Sequence, residues 1–157
     1  MDILKELFSV AETLTAARVE YGICGGLAVT IHGRPRLTMD IDLLLPADQI
    51  AKAADVVAQL GFDDVTGWVV LPGNDLRIDR LYRVNKFSGS EFLTLDLLEV
   101  DSASNPIFRD RQAFEIDGKV IHVLSREALI TMKKNTGRTQ DKLDVEMLQR
   151  DVADESN

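Results

Sequence analysis

Residues 24–45 read CGGLAVTIHGRPRLTMDIDLLL, and this stretch decides the fold. The apolar residues 21–24 predict a short strand that leads directly into Gly25 and Gly26. The apolar residues after the glycine pair predict a brief helix, and residues 39–45 predict a second strand. The segment therefore has the order strand, glycine pair, helix, strand.

Asp40 and Asp42 alternate with apolar neighbours on the second of these strands. Side chains two residues apart on a strand point to the same face, so the two carboxylates converge on one spot. Magnesium prefers oxygen ligands and is usually held by one or two carboxylates together with substrate phosphates and water. The spacing favours a magnesium–phosphate site over the alternative, a solvated strand face whose acids merely alternate with core residues.

Gly25 and Gly26 lie between a predicted strand and a predicted helix. Without a Cβ the backbone there can approach a ligand closely, and free N–H groups at the start of a helix favour anions. A glycine pair alone predicts only a turn. Its position fourteen residues before the Asp-x-Asp strand favours a site for a triphosphate.

The chain has 157 residues, of which 45% are hydrophobic and 28% charged. These values, with no repeat and no Pro/Gly/Ser-rich linker, predict one globular domain over residues 1–157. The single Cys24 excludes an internal disulfide and, with the absence of zinc-like spacing, favours the cytoplasm. No apolar run reaches about 18 residues, so a membrane-spanning segment is not expected.

The net charge is −8, from 18 Lys and Arg against 26 Asp and Glu. This balance argues against a broad nucleic-acid surface, because such binding neutralises phosphates with cations. Residues 141–157 hold six acidic and two basic side chains, which is half of the net charge. We expect residues 151–157 to form a mobile acidic tail. Residues 77–86, in contrast, contain four cations, which either hold an acidic acceptor or pair with nearby carboxylates.

Periodicity over the rest of the chain predicts an α+β fold, a mixed sheet with helices packed on it. Further predicted helices span residues 2–19, 47–60, 125–134 and 139–150. Further predicted strands span residues 67–71, 76–84 and 92–100, with a hairpin over residues 113–123 that turns at Asp117–Gly118.

The glycine pair followed by Asp-x-Asp resembles the nucleotidyltransferase superfamily of the DNA polymerase β type. The wording GGLAVTIHGRPRLTMDIDLLL, followed by LITMKKNTGRTQDKLDVEML, is similar to small bacterial members of the abortive-infection toxin type, AbiEii. Matching segments cover residues 21–45, 92–97 and 124–148. One departure is Leu27, which stands where the Gly-Ser branch has a hydroxyl residue, so backbone amides must serve there.

The resemblance implies a nucleotidyltransferase fold and a third carboxylate on a later strand, so that Asp40, Asp42 and Asp96 are the catalytic and metal-binding residues. Asp96 is flanked by leucines and stands on the opposite strand face from them. Asp79 is the next candidate, although its cationic neighbours also explain it as a local ion pair. Glu99 lies on the other face of the strand that carries Asp96.

The nucleotide-binding residues are expected to be Gly25, Gly26, Arg34, Arg36, Thr38 and Lys133. Arg34 and Arg36 precede the metal strand, and Arg forms bidentate bonds to phosphate oxygens; the alternative is a solvated loop. Thr38 matches the family's Arg-x-Thr-x-Asp-x-Asp motif and would orient Asp40 or Arg36. Lys133, as a flexible point charge, would reach a β or γ phosphate.

The implied activity is transfer of a nucleoside monophosphate from an NTP, with two Mg²⁺ ions, to an acceptor hydroxyl. The acceptor could be a tRNA 3′ end, a protein or a small molecule, and a toxin of this type would have an antitoxin partner. The alternative from another class is a nucleotide-binding or protein-interaction module that uses the fold without turnover.

Overall fold

The computed structural model describes residues 1–33, 37–134 and 139–156, with only the backbone for residues 139–141 and 151–156. The helices are α1 (Ile3–Ala16), α2 (Gly25–Ile31), α3 (Ile50–Ala58, after a 3-10 turn at Ala47–Gln49), α4 (Pro106–Arg109), α5 (Arg126–Lys134) and α6 (Thr139–Ser156). The strands are β1 (Gly22–Cys24), β2 (Asp40–Pro46), β3 (Asp64–Val70), β4 (Arg80–Ser88), β5 (Glu91–Val100), β6 (Gln112–Ile116) and β7 (Lys119–Val123).

All the strands in these ranges join one sheet, in the order β3-β4-β5-β2-β1-β7-β6. β2 runs parallel to β5, and β1 runs parallel to β7. The pairs β1–β2, β3–β4, β4–β5 and β6–β7 are antiparallel. The sheet is therefore mixed, and the predicted α+β fold is confirmed.

The two faces of the sheet have different roles. Glu6 of α1 forms an ion pair with Lys86 of β4, with Nζ and Oε2 3.0 Å apart, so α1 covers the face to which Lys86 points. Because side chains alternate along a strand, Arg83 and Asn85 of β4 face the other way. On β2 the same alternation separates fully buried Ile41 and Leu43 from Asp40 and Asp42.

Several predicted bounds are wrong in informative ways. The strand predicted over residues 76–84 begins only at Arg80, because residues 71–79 form a closed loop in which Leu71 N–H donates to the Asp79 carbonyl. The last helix was predicted to end at Arg150 but continues to Ser156, since no glycine or proline interrupts it. The predicted single domain and the mobility of residues 151–157 stay predictions.

Two glycine-containing turns agree with the sequence. The hairpin between β6 and β7 turns at Asp117 and Gly118, both with positive φ, as the Asp-Gly pair predicts. Gly61 follows α3 with φ of 98° and ends that helical segment. In a search of the described residues, no helix proved long and apolar enough to cross a bilayer.

The face of β2 opposite the carboxylates should carry the stability of the sheet. Leu43 is fully buried in the hydrophobic core, so Leu43→Ala should lower the free energy of unfolding by about 2–5 kcal/mol. Val70→Ala is the control, because Val70 is 83% exposed and should cost no more than about 0.5 kcal/mol. Urea denaturation measures both, and equal losses would contradict the assignment of this face to the core.

Candidate active site

Two carboxylates lie side by side at the centre of the sheet. In the parallel pairing of β2 with β5, Asp42 is the direct partner of Asp96, and Asp40 is the partner of Thr94. Paired residues project from the same face, so Asp40, Asp42 and Asp96 form one acidic cluster. Asp40 is exposed, Asp42 is half-buried, and Asp96 is only 4% exposed.

Arg83 on the next strand neutralises the most deeply buried member of this acidic cluster. It is paired with Asp96 across β4 and β5, and its Nε and Nη2 donate to the two carboxylate oxygens at 2.8 and 3.0 Å. Bidentate guanidinium–carboxylate pairs are among the stronger charge-assisted contacts. The pKa of Arg83 is raised, chiefly by this hydrogen bond, so the arginine remains charged. Sequence reasoning missed this partner.

Asp40 resists ionisation in this setting. Although the residue is exposed overall, its pKa is raised above the ordinary aspartate value, first by partial desolvation of the carboxyl group and then by the negative charge of Asp96, while Arg83 acts in the opposite direction. Asp96 and Asp40 therefore compete for the same countercharge.

Gly25 is required by the packing of Asp42. Its φ is 66°, and a Cβ at this position would overlap the Oδ2 atom of the Asp42 side chain. Gly25, the first residue of α2, thus lies against the Asp42 carboxylate of β2. The residue before it, Cys24 of β1, is the register partner of Asp42. Sequence reasoning assigned Gly25 and Gly26 to phosphate binding alone; the structure adds a packing reason for Gly25.

Lys133 lines the same cleft from α5. It is buried and forms an ion pair with Asp144 of α6, with Nζ and Oδ2 3.0 Å apart. Its positive charge also acts on Cys24, whose pKa is raised by burial first and by Asp42, with Lys133 lowering it. Lys133 is therefore close enough to influence the β1–β2 end of the acidic cluster. Its role toward phosphate stays a prediction.

The remaining predicted site residues fall into two groups. The Thr38 hydroxyl donates to the backbone carbonyl of Asp40 at 3.4 Å, so it contacts the main chain of that residue. Arg34 and Arg36 lie outside the described residues. Asp79, the rival third carboxylate, is exposed, whereas the described lining of the cleft contains Asp96.

The cationic run over residues 77–86 is largely used in pairing, one of the two alternatives that the sequence left open. Arg80 pairs with Glu99 on the opposite face from Arg83, with Nε and Oε1 3.0 Å apart, and its guanidinium lies 3.6 Å from the ring of Trp68. Lys86 pairs with Glu6. Only Arg83 brings charge from this run to the cleft.

The cleft over the acidic cluster has a volume of about 520 Å³, within the range of small-molecule sites. One wall is the loop of residues 71–79, which the sequence did not predict. Asn74 builds this loop: its amide donates to the carbonyls of Pro72 and Ile78, and its side-chain oxygen accepts from Leu76 N–H. Asn105 anchors it to the start of α4 by donating to the Leu76 carbonyl.

The acids are close neighbours without forming a complete metal cage. Within the described ranges, no group of three Asp, Glu, His or Cys side chains is arranged to hold a metal ion together. Both oxygens of the Asp96 carboxylate accept hydrogen bonds from Arg83. Asp40 and Asp42 are the more accessible pair of oxygen donors.

The family to which the chain belongs is one of nucleotidyltransferases. A family model described as nucleotidyl transferase of unknown function (DUF2204) matches residues 3–157, and the chain belongs to this family. The resemblance to nucleotidyltransferases is thereby confirmed at the level of the superfamily, whereas the abortive-infection type stays a prediction. A comparison with curated proteins found no match.

Solved structures share the fold at low sequence identity. The lincosamide antibiotic adenylyltransferase LnuA, solved with lincomycin bound, is 18% identical with a TM-score of 0.66, covering 92% of this chain and 95% of its own. A nucleotidyltransferase-like protein from Thermotoga maritima is 17% identical with a TM-score of 0.62, covering 97% and 93%. ANT(2")-Ia in complex with adenylyl-2"-tobramycin is 19% identical with a TM-score of 0.56, covering 94% and 87%. The expected nucleotidyltransferase fold is confirmed.

The contact between Gly25 and Asp42 gives a first testable prediction for the site. Gly25→Ala should destabilise the protein by more than the roughly 1–2 kcal/mol of a positive φ alone, because the new Cβ must displace the Asp42 side chain. Gly89→Ala is the matched control, since Gly89 has φ of 62° with nothing within 4 Å of the added Cβ. Denaturation should show a larger loss for Gly25→Ala; equal losses would mean that Asp42 does not press on Gly25.

The raised pKa of Asp40 gives a second prediction. A carboxyl group whose folded pKa exceeds its unfolded value weakens the fold as pH rises through that range. In the metal-free protein, with EDTA, Asp40→Asn should therefore be more stable than the wild type at pH 7.5, and the advantage should shrink toward pH 4.5. Melting temperatures at both pH values measure this, and a wild-type advantage at pH 7.5 would contradict it.

Proposed function

We propose that the protein transfers a nucleoside monophosphate from an NTP to the hydroxyl group of an acceptor, with release of pyrophosphate. The observation that carries this proposal is the direct pairing of Asp42 with Asp96, beside Asp40, in an open cleft next to the start of α2. Carboxylates gathered in a cleft at this cost in repulsion are typical of functional sites.

The donor set suits magnesium. Asp40 and Asp42 offer hard oxygen ligands on one strand face, and Asp96 can join them when Arg83 moves aside. When bound, two Mg²⁺ ions would supply positive charge for the attacking and leaving oxygens of an in-line displacement. The protein's contribution is to present the three carboxylates from one face of the sheet.

The reaction forms a bond from the acceptor oxygen to the α-phosphorus and breaks the bond from that phosphorus to the oxygen bridging to the β-phosphorus. The leaving group is pyrophosphate. Asp96, on the side of the acidic cluster away from α2, orients the acceptor hydroxyl and takes its proton. The backbone at Gly25 and Gly26, together with Lys133, binds the phosphates of the donor. Leu27 supplies no hydroxyl, so this contact depends on main-chain N–H groups.

Among the acceptors that the sequence leaves open, we propose a small molecule. Two structural neighbours, LnuA and ANT(2")-Ia, were solved with lincomycin and with adenylyl-2"-tobramycin bound. A tRNA acceptor, an antitoxin partner and a cytoplasmic location have no such support and remain as predicted from the sequence.

One observation favours a second function, nucleotide binding without turnover. Arg83 occupies both oxygens of Asp96. If that ion pair persists with nucleotide bound, Asp40 and Asp42 would still bind a metal–nucleotide complex, but no free carboxylate would receive the acceptor proton.

Single carboxylate variants distinguish transfer from binding alone. The purified protein is incubated with Mg²⁺, each α-labelled NTP, and either total RNA or a small-molecule cell extract. We expect labelled product from the wild type and a loss of at least about 100-fold for Asp42→Asn and Asp96→Asn, because each removes charge that the transition state requires.

Asp79→Asn is the matched control and should retain activity within about threefold, as a surface change away from the chemistry. Loss in Asp79→Asn with activity kept in Asp96→Asn would assign the third carboxylate to Asp79. The melting temperature tests binding of the metal and nucleotide separately from transfer. Mg²⁺ and nucleotide should raise it in the wild type and not in the double variant Asp40→Asn/Asp42→Asn. An equal rise in the double variant would overturn the metal assignment.

A further inference from the structure

The cleft continues beyond the acidic cluster into an apolar chamber. Leu98 lies two residues after Asp96 on β5, and its partner in the register, Leu81, lies two residues before Arg83 on β4, so both share the face of the charged pair. Leu81 is in turn paired with Val69 of β3. These three apolar side chains form the floor of the apolar chamber. The loop over residues 71–79 adds the wall, which consists of Leu71, Leu76 and Ile78.

The apolar chamber lies on the Asp96 side of the acidic cluster. Along the sheet the order is β1 with Gly25 beyond its end, β2 with Asp42, β5 with Asp96, β4 with Arg83, and β3. Leu98, Leu81 and Val69 belong to the last three strands, whereas the start of α2 lies at the first. A donor whose phosphates lie against α2 and Lys133 therefore holds its triphosphate outside the apolar chamber.

The described residues that line the apolar chamber carry no positive charge that would favour a polyanionic acceptor. Of the two cations among the described lining residues of the cleft, Lys133 is assigned to the donor phosphates and Arg83 is paired with Asp96. Binding of RNA depends on cations that neutralise phosphates. The apolar chamber instead offers surface that gains free energy by removing apolar groups from water.

The apolar chamber is preformed. Its wall is fixed by the Asn74 hydrogen bonds within the loop and by the Asn105 amide that anchors Leu76. Binding there does not require the loop to be ordered first, so little affinity is lost to that cost.

We infer that the acceptor is a small molecule with a predominantly apolar, uncharged body and a hydroxyl group, and that its body occupies the apolar chamber with the hydroxyl directed at Asp96. This inference rests on the proposed transfer function for its chemistry, but the apolar chamber itself can be tested without any transfer.

The first test uses Nile red, a neutral apolar dye that fluoresces on leaving water. The protein should bind the dye saturably, and Val69→Asp should raise the Kd for the dye at least about tenfold, because a carboxylate then enters the apolar floor. Val70→Asp is the matched control: Val70 is the next residue on β3, points to the opposite face, is 83% exposed, and should leave the Kd unchanged.

Two further measurements keep this test decisive. Leu76→Asp places the carboxylate in the loop and not in the sheet. If Val69→Asp fails to fold, as judged by circular dichroism, Leu76→Asp should show the expected rise in the Kd for Nile red in its place. Mg²⁺ with α,β-methylene ATP should leave Nile red bound. The inference is overturned if Nile red does not bind saturably or if Val69→Asp and Val70→Asp bind it equally well. It is also overturned if the nucleotide analogue displaces the dye, because that would assign the apolar chamber to the base.

The second test separates the inference from the transfer function. α-Labelled NTPs are incubated with Mg²⁺, the protein and either total RNA, the polar fraction of a small-molecule extract, or the fraction retained on a reversed-phase column. We expect label in the retained fraction, reduced at least about tenfold by Val69→Asp and unchanged by Val70→Asp.

Label only on RNA or in the polar fraction overturns the apolar acceptor while the transfer function stands. Label in no fraction contradicts nucleotide transfer and therefore also the role of the apolar chamber in binding an acceptor. If Nile red still binds, the apolar chamber is an apolar binding site that takes no part in transfer.

Discussion

Parallel pairing of β2 with β5 in one register sets Asp42 directly beside Asp96, and the rest of the site depends on this pairing. Two adjacent carboxylates repel each other, and Asp96 is almost fully buried, so the arrangement persists only with a countercharge. Arg83, from the strand on the other side of β5, supplies it through two hydrogen bonds. A slip of one residue in β2 would turn its acids toward α1 and leave Arg83 and Asp96 without them.

The fold supports this concentration of charge by separating stability from chemistry. The face covered by α1 carries fully buried residues such as Ile41 and Leu43, whereas the acidic face stays open over the cleft. Gly25 lies where the packed part of the fold meets the acidic face, because only a residue without a Cβ lets α2 begin against the Asp42 carboxylate. Binding of a cation by the acids would relieve the repulsion among them, which couples ligand binding to stability.

The sequence was informative where the determining contacts are local. The two-residue spacing of Asp40 and Asp42, the glycine pair before α2 and the Asp117–Gly118 turn each follow from short-range rules. The partners of these residues do not. Arg83 meets Asp96 through a hairpin register, and Lys133 meets Asp144 across two helices. The loop over residues 71–79 is shaped by hydrogen bonds from Asn74 and from the distant Asn105. Short-range rules do not reveal these contacts, so the apolar residues near the end of the loop predicted a strand.

The most direct measurement is a crystal structure with Mn²⁺ and α,β-methylene ATP, in which anomalous scattering locates the metal. We expect a metal ion contacted by both Asp42 and Asp96, with the Arg83 guanidinium withdrawn from the Asp96 carboxylate and the triphosphate against the start of α2. An Arg83–Asp96 pair that keeps both hydrogen bonds while the metal contacts only Asp40 and Asp42, or a metal bound away from these residues, would contradict it.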